Sequence, residues 1–202
     1  LALEAADAEY VLFADDDVTY FDGMPQRVLA EFEARPDADV LIFGMDYTKE
    51  GAVIERRRPG DQRRHLWNSM RFGAASMAVR LQAVRSCGIH FSTYFGGGCL
   101  YGAGEDNLFL RDCFTNGLRV YSTNTVLGVC RKDVSTWFSG CNEKYFYDKG
   151  ALMTYLFPHL RHLAALYFAV RVKKHTEIGC LKRIKLMLAG VRGGKRLEPY
   201  QP

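Results

Sequence analysis

Three consecutive carboxylates, Asp15, Asp16 and Asp17, close the apolar run Tyr10-Val11-Leu12-Phe13-Ala14. A short apolar run ended by a polar break reads as a buried strand. Adjacent acids repel one another, so the cluster calls for water, a turn or a cation. Carboxylate oxygens are the donors that hard cations such as Mg²⁺ and Mn²⁺ prefer. In open α/β sheets, ligands gather beyond the carboxyl ends of the strands. The cluster therefore reads as a metal held over a sheet, its coordination completed by a phosphate-bearing substrate. The same residues also read as an Asp-rich turn capping a helix over residues 22–35.

A second acidic pair, Glu105-Asp106, follows Gly102-Ala103-Gly104 and opens a helical pattern. Acids in a first helical turn complement the dipole and cap free N–H groups. The chemical reading is that Gly104 lets the backbone approach a ligand closely while the helix start aims a carboxylate at it. A carboxylate within reach of a hydroxyl can act as general base. Two such sites about 90 residues apart suggest a division of labour, one holding a metal and the other taking a proton.

The elements that must position these acids alternate along the chain. Residues 1–8 read as the last turns of a helix, and residues 10–14 as the first strand. Residues 22–35 carry Met24, Val28, Leu29 and Phe32 at helical spacing, stopped by Pro36. Residues 39–45 form a second buried strand that turns back as a hairpin into residues 52–57. A strand over 74–79 leads into a short helix over 81–87. The Glu105 helix runs to Asn116, with Gly117 as its cap. Strands over 118–122 and 125–130 finish the sheet, and residues 137–149 read as helical. The pattern predicts an α/β domain with mixed strand directions.

The order of motifs resembles the inverting family-two glycosyltransferases of the GT-A fold. It consists of a strand ending in Asp-x-Asp, a Gly-Glu-Asp helix start, and Val134-Ser135-Thr136-Trp137-Phe138. The run from Ser135 through Cys141-Asn142-Glu143-Lys144-Tyr145-Phe146-Tyr147-Asp148-Lys149-Gly150 is similar to a segment of members that build bacterial capsular or exopolysaccharide repeats. The resemblance covers residues 1–150. It implies a GT-A-like mixed sheet flanked by helices, and sugar transfer from a nucleotide-sugar donor, a UDP-sugar by expectation, with inversion. The acceptor would be a saccharide or lipid-linked. It implies that Asp17 ligates a divalent metal, Mn²⁺ or Mg²⁺, directly. Asp15 would stand between that metal and the donor's ribose or sugar, with Asp16 and Arg131 also on the donor side. Asp106 would be the general base with Glu105 beside it. Trp137 is placed to stack on a sugar ring, a role for which aromatic core packing is the alternative. Lys132 and Asp133 stand where members often carry a histidine.

Family members also begin with a strand, a tyrosine-asparagine signature and an alanine-arginine-asparagine helix, none of which is present here. The expectation is an N-terminally truncated domain that lacks its nucleobase-binding part. Such a fragment would bind nucleotide poorly and expose a sheet edge that a second copy could cover. The alternative function is a catalytically silent fragment acting as an interaction or membrane-docking module.

Composition sets the frame. Of 202 residues, 48% are hydrophobic and 25% charged, which is globular. No stretch of about 18 uncharged apolar residues predicts a transmembrane helix, and the acidic start has no signal-peptide core. Six cysteines without a Cys-x-x-Cys pair point away from zinc and towards a reducing cytosol. The net charge of +4 is uneven: residues 1–150 hold 17 Lys/Arg against 21 Asp/Glu, and residues 151–202 hold 10 against 2. This tail repeats apolar residues at helical spacing, with Pro158 expected to break it. It reads as a basic amphipathic helical appendage, either packed on the body or lying on the inner face of an anionic membrane. Nucleic-acid binding is not predicted, because no binding motif accompanies the charge.

Overall fold

The computed structural model describes residues 2–132, 140–172 and 176–198. In chain order the elements are α1 (Ala2–Ala5), β1 (Tyr10–Leu12), β2 (Val18–Tyr20), α2 (Met24–Ala34), β3 (Val40–Lys49), β4 (Ala52–Arg57), β5 (Gln62–Arg63) and α3 (Leu66–Ser69). A single 3₁₀ turn, Ala74–Ser76, precedes β6 (Met77–Arg80) and α4 (Leu81–Ser86). Then come α5 (Glu105–Thr115), β7 (Val120–Arg131), α6 (Glu143–Leu156), α7 (Arg161–Arg171) and α8 (Cys180–Gly194). The chain divides into two units, Leu1–His90 with Phe109–Val134, and Phe91–Leu108 with Ser135–Pro202.

The first unit is built on a mixed sheet of order β1-β6-β3-β7-β2, with β4 paired to β3 and β5 to β7. β3 and β7 run parallel, and every other pairing is antiparallel. Residues Val40 to Met45 of β3 are all buried, as expected of a central strand covered on both faces. Leu41 and Phe43 join Ala78 and Leu127 against Val28 and Phe32 of α2. Alternation sends Val40 and Ile42 to the other face, in register with Val79 and Met77. Tyr10 stacks on Phe32 with ring centroids 4.1 Å apart, fixing the start of β1 to the α2 layer.

Two features depart from the local patterns. The sequence predicts separate strands over 118–122 and 125–130, whereas β7 is one strand. Its register against β3 shifts on either side of Gly44, so the irregularity is absorbed inside the ladder and does not end it. β2 is too short to announce itself and exists through its pairing with β7, Val18 opposite Cys130 and Tyr20 opposite Gly128.

The second unit is helical. Asn142 caps α6, its side chain accepting from Tyr145 N at 2.9 Å. Pro158 falls where α6 has ended at Leu156 and α7 has not begun, the break expected of it. Phe146, Ala151, Leu152 and Leu156 of α6 are buried, with Met187 and Val191 of α8. Backbone approaches backbone where the two helices cross, because a Cβ on Gly150 or Gly190 would overlap the carbonyls of Met187 and Tyr147.

Candidate active site

The first acidic site lies in the first unit. After β1 the chain leaves the sheet: Phe13 N donates to Met77 O at 3.1 Å, and Val18 N donates to Asp15 O at 3.3 Å to close a turn. The turn holds Asp15, Asp16 and Asp17. The first two are exposed and Asp17 is half-buried. Asp17 is fastened through its backbone, whose carbonyl accepts from Arg131 N at 3.0 Å. Its carboxylate is fastened on one side only. Oδ2 accepts from the Cys130 thiol at 3.5 Å, while Oδ1 is buried with no hydrogen-bond partner among the described residues.

The negative field of this turn acts on its neighbours. Burial, with the charges of Asp15 and Asp17, pushes the Tyr20 phenol up to about 12. Burial and then Asp17 push the Cys130 thiol up to about 11. Both groups are therefore neutral at physiological pH and add no charge of their own to the turn. The Tyr20 hydroxyl lies 3.3 Å from both Phe13 O and Ala75 O, tying the turn to the chain entering β6. A buried carboxylate oxygen without a donor is costly, and a hard cation removes that cost. No group of three His, Cys, Asp or Glu side chains among the described residues is arranged for a metal. Mg²⁺ commonly takes one or two carboxylates and completes its shell with water and substrate phosphate. Asp15 and Asp17 fit that kind of ligand set.

The second acidic site lies in the second unit, at the start of α5. Gly104 adopts φ +130°, and a Cβ there would stand 2.7 Å from Leu152 Cδ1, so only glycine sits under α6 at this point. Its N–H donates to Glu105 Oε2 at 2.7 Å, which makes Glu105 a cap on its own helix start. Asp106 follows, half-buried.

Three residues of α6 that the spacing did not single out belong here. Asp148 is buried, and its Oδ2 accepts from Gly102 N at 2.9 Å and from Lys144 Nζ at 2.5 Å. Its Oδ1, like that of Asp17, is buried without a hydrogen-bond partner among the described residues. Burial pulls the Lys149 ammonium below the usual lysine value, against the opposing field of Glu105, Asp148 and Asp106. A cavity of ≈ 250 Å³ is lined by Cys99, Gly102, Tyr145, Asp148 and Lys149 among others. The available signal was the i, i+4 pair Lys144–Asp148 inside the motif that runs to Gly150.

No family model matches the sequence, and no curated protein matches it. Among solved structures, S. aureus TarS 1-349 superposes on 94% of this chain and 48% of its own, with a TM-score of 0.53 at 14% identity. The mannosyltransferase PcManGT from Pyrobaculum calidifontis, solved with GDP-Man and Mn²⁺, is matched over 97% of this chain and 51% of its own, with a TM-score of 0.43 at 16% identity. This chain thus spans about half the length of each. The likeness to TarS extends over nearly the whole chain and concerns the fold. The fold is a glycosyltransferase fold.

Within that fold the predicted residues Arg131 and Trp137 fall as follows. Arg131 ends β7, with its backbone on Asp17 and its side chain exposed. Trp137, with residues 133–139 of the motif, lies outside the described residues. Trp67 is 68% exposed, so it is not a core residue. Much of the arginine-rich stretch 56–64 is engaged structurally. Arg57 pairs with Glu55 at 2.9 Å and Arg58 with Asp46 at 2.7 Å. Arg64 is buried, donating to Ser122 Oγ at 2.7 Å and to the Pro59 carbonyl. All six cysteines are free thiols. No helix among the described residues is long and apolar enough to cross a membrane.

Proposed function

We propose that this chain is the metal- and acceptor-side portion of a cytoplasmic inverting glycosyltransferase. The donor is a nucleotide-activated sugar, UDP-linked by expectation, and the acceptor is a saccharide or lipid-linked hydroxyl of a cell-surface polysaccharide. The observation that carries the reading is Oδ1 of Asp17, buried without a hydrogen-bond partner among the described residues, in the turn between β1 and β2 of a glycosyltransferase fold.

In this reading Asp17 and Asp15 hold a divalent cation, and Asp16 and Arg131 face the donor. The bound cation supplies neutralising charge for a departing diphosphate. Asp106 accepts the proton of the acceptor hydroxyl. That oxygen forms a bond to the anomeric carbon as the bond to the diphosphate oxygen breaks, and the electron pair leaves with the diphosphate. Attack from the opposite face inverts the centre in one displacement, so no covalent nucleophile is required. Glu105 keeps the helix start in place through Gly104 N, and Trp137 offers a face for a sugar ring.

The test is calorimetric titration of the chain with Mn²⁺ and UDP, separately and together. Weak nucleotide binding that requires Mn²⁺ is expected. A folded chain that binds neither ligand would overturn the reading for this chain and favour a catalytically silent interaction module.

A further inference from the structure

The second unit presents a helix face of unusual character for a protein surface. α7 buries only Ala165 and Ala169. On the opposite side, Leu163 is 65% exposed, Tyr167 62% and Val170 45%, with Leu160 and Leu166 exposed beside them. Positions 163, 166/167 and 170 recur at i, i+3/i+4 and i+7, so these side chains form one continuous stripe. A surface helix ordinarily turns such a stripe inward and its polar side out. Here the small residues face in and the large apolar ones face water, and a contiguous exposed apolar patch marks an interaction site.

The orientation is built in. Arg183 of α8 is buried, donating from Nε to Ala169 O at 2.8 Å and from Nη1 to Ile178 O at 2.6 Å. This guanidinium straps the alanine side of α7 to α8, and the stripe is held outward as a consequence. The helix cannot roll to bury Leu163 and Tyr167 without breaking a buried, charge-assisted bond.

Charge identifies the occupant. The stripe is flanked by Arg161, His162 and Arg171, and the sequence continues with Lys173 and Lys174. The Arg171 guanidinium donates to Tyr167 Oη at 2.5 Å and sits 5.7 Å from its ring centroid, so a cation caps the edge of the apolar face. Lys182 and Lys185 of α8 are exposed, as is Leu181 at 77%. The whole segment 151–202 carries 10 basic residues against 2 acidic. Two copies meeting face to face through this region would bring like charges together. An anionic bilayer offers apolar depth and negative headgroups at once. Leucine, tyrosine and arginine on one short helix are the residue types that settle at that interface.

We propose that α7 docks this protein on an anionic membrane surface. Leu163, Leu166, Tyr167 and Val170 enter the headgroup–acyl boundary, and Arg161 and Arg171 lie on the phosphates. The helix lies on the bilayer and does not span it.

The test is co-sedimentation of the full chain with phosphatidylglycerol/phosphatidylcholine vesicles and with phosphatidylcholine alone. The wild type is compared with Leu163→Ser/Tyr167→Ser and with Arg161→Gln/Arg171→Gln. Both altered pairs are exposed or half-buried, and circular dichroism confirms that each variant is folded. Wild-type partitioning onto anionic vesicles should exceed that onto neutral ones at least tenfold. The apolar pair should lose at least tenfold of it, and the basic pair should bind less tightly with a weaker dependence on added salt. Wild-type-level binding by the apolar pair would overturn the proposal. So would equal binding to neutral vesicles. A stripe that instead mediates concentration-dependent dimerisation by light scattering, with no vesicle binding, would also overturn it. The assay contains neither metal nor nucleotide, so its outcome is independent of the sugar-transfer reading.

Discussion

The Cys130 thiol donates to Oδ2 of Asp17 across 3.5 Å, while Oδ1 of the same carboxylate is buried and partnerless among the described residues. A weak thiol donor on one oxygen and nothing on the other leaves most of the desolvation cost of this carboxylate uncompensated. Asp17→Ala removes the candidate cation ligand together with that cost. Metal-dependent nucleotide binding should fall by more than about tenfold, while the thermal midpoint holds or rises. Calorimetry and a melting curve on the same sample check both, and unchanged Mn²⁺ dependence removes Asp17 from the metal site.

Asp106→Asn keeps the shape of the α5 start and deletes the proton acceptor. General-base assistance is worth about 10²–10⁴-fold, so transfer by the longest available parent protein should drop by that range. Donor binding should stay within about twofold. Transfer at the wild-type rate would end the role of Asp106 as base.

The α6–α8 crossing sets a stability prediction. Alanine is favoured over glycine by about 1 kcal/mol inside a helix, yet a Cβ at Gly190 overlaps the Tyr147 carbonyl, and backbone cannot rotate away. Overpacking costs about 1–3 kcal/mol and sometimes more, so the steric term wins. Gly190→Ala should lower the urea midpoint, whereas a chain more stable than wild type would show that the helices can part at little cost.

Alkaline stability follows from buried phenols. Burial and the neighbouring Cys141 push Tyr145 up to about 12 in the folded chain, above the ordinary value of 10.0. At pH values between these two, the folded state keeps a proton that the unfolded state has lost. Stability from this group is complete below pH 10 and disappears as pH climbs towards 12. Tyr145→Phe should flatten the fall in urea midpoint over that window. Tyr20, also raised to about 12, preserves part of the slope. An unchanged slope would mean that Tyr145 titrates normally.

What the sequence determined by itself was local. The apolar run into Asp15–Asp17, the hairpin of β3 and β4, the helix opening at Glu105 and the break at Pro158 all follow from periodicity and backbone preferences within about a dozen residues. Tertiary structure decided what those patterns leave open. Cys130 reaches Asp17 across 113 positions of sequence because β2 pairs with β7. The same pairing makes a strand of Val18–Tyr20 and puts Arg131 N on the Asp17 carbonyl. The burial of Asp148 depends on Gly102 N, 46 positions away. The tail's periodicity marked its apolar residues but not their direction. The Arg183 strap holds the alanine side of α7 inward and leaves its leucines out. Hydrogen-bond partners and helix orientation are set by contacts distant in sequence, and such contacts leave no local period to read.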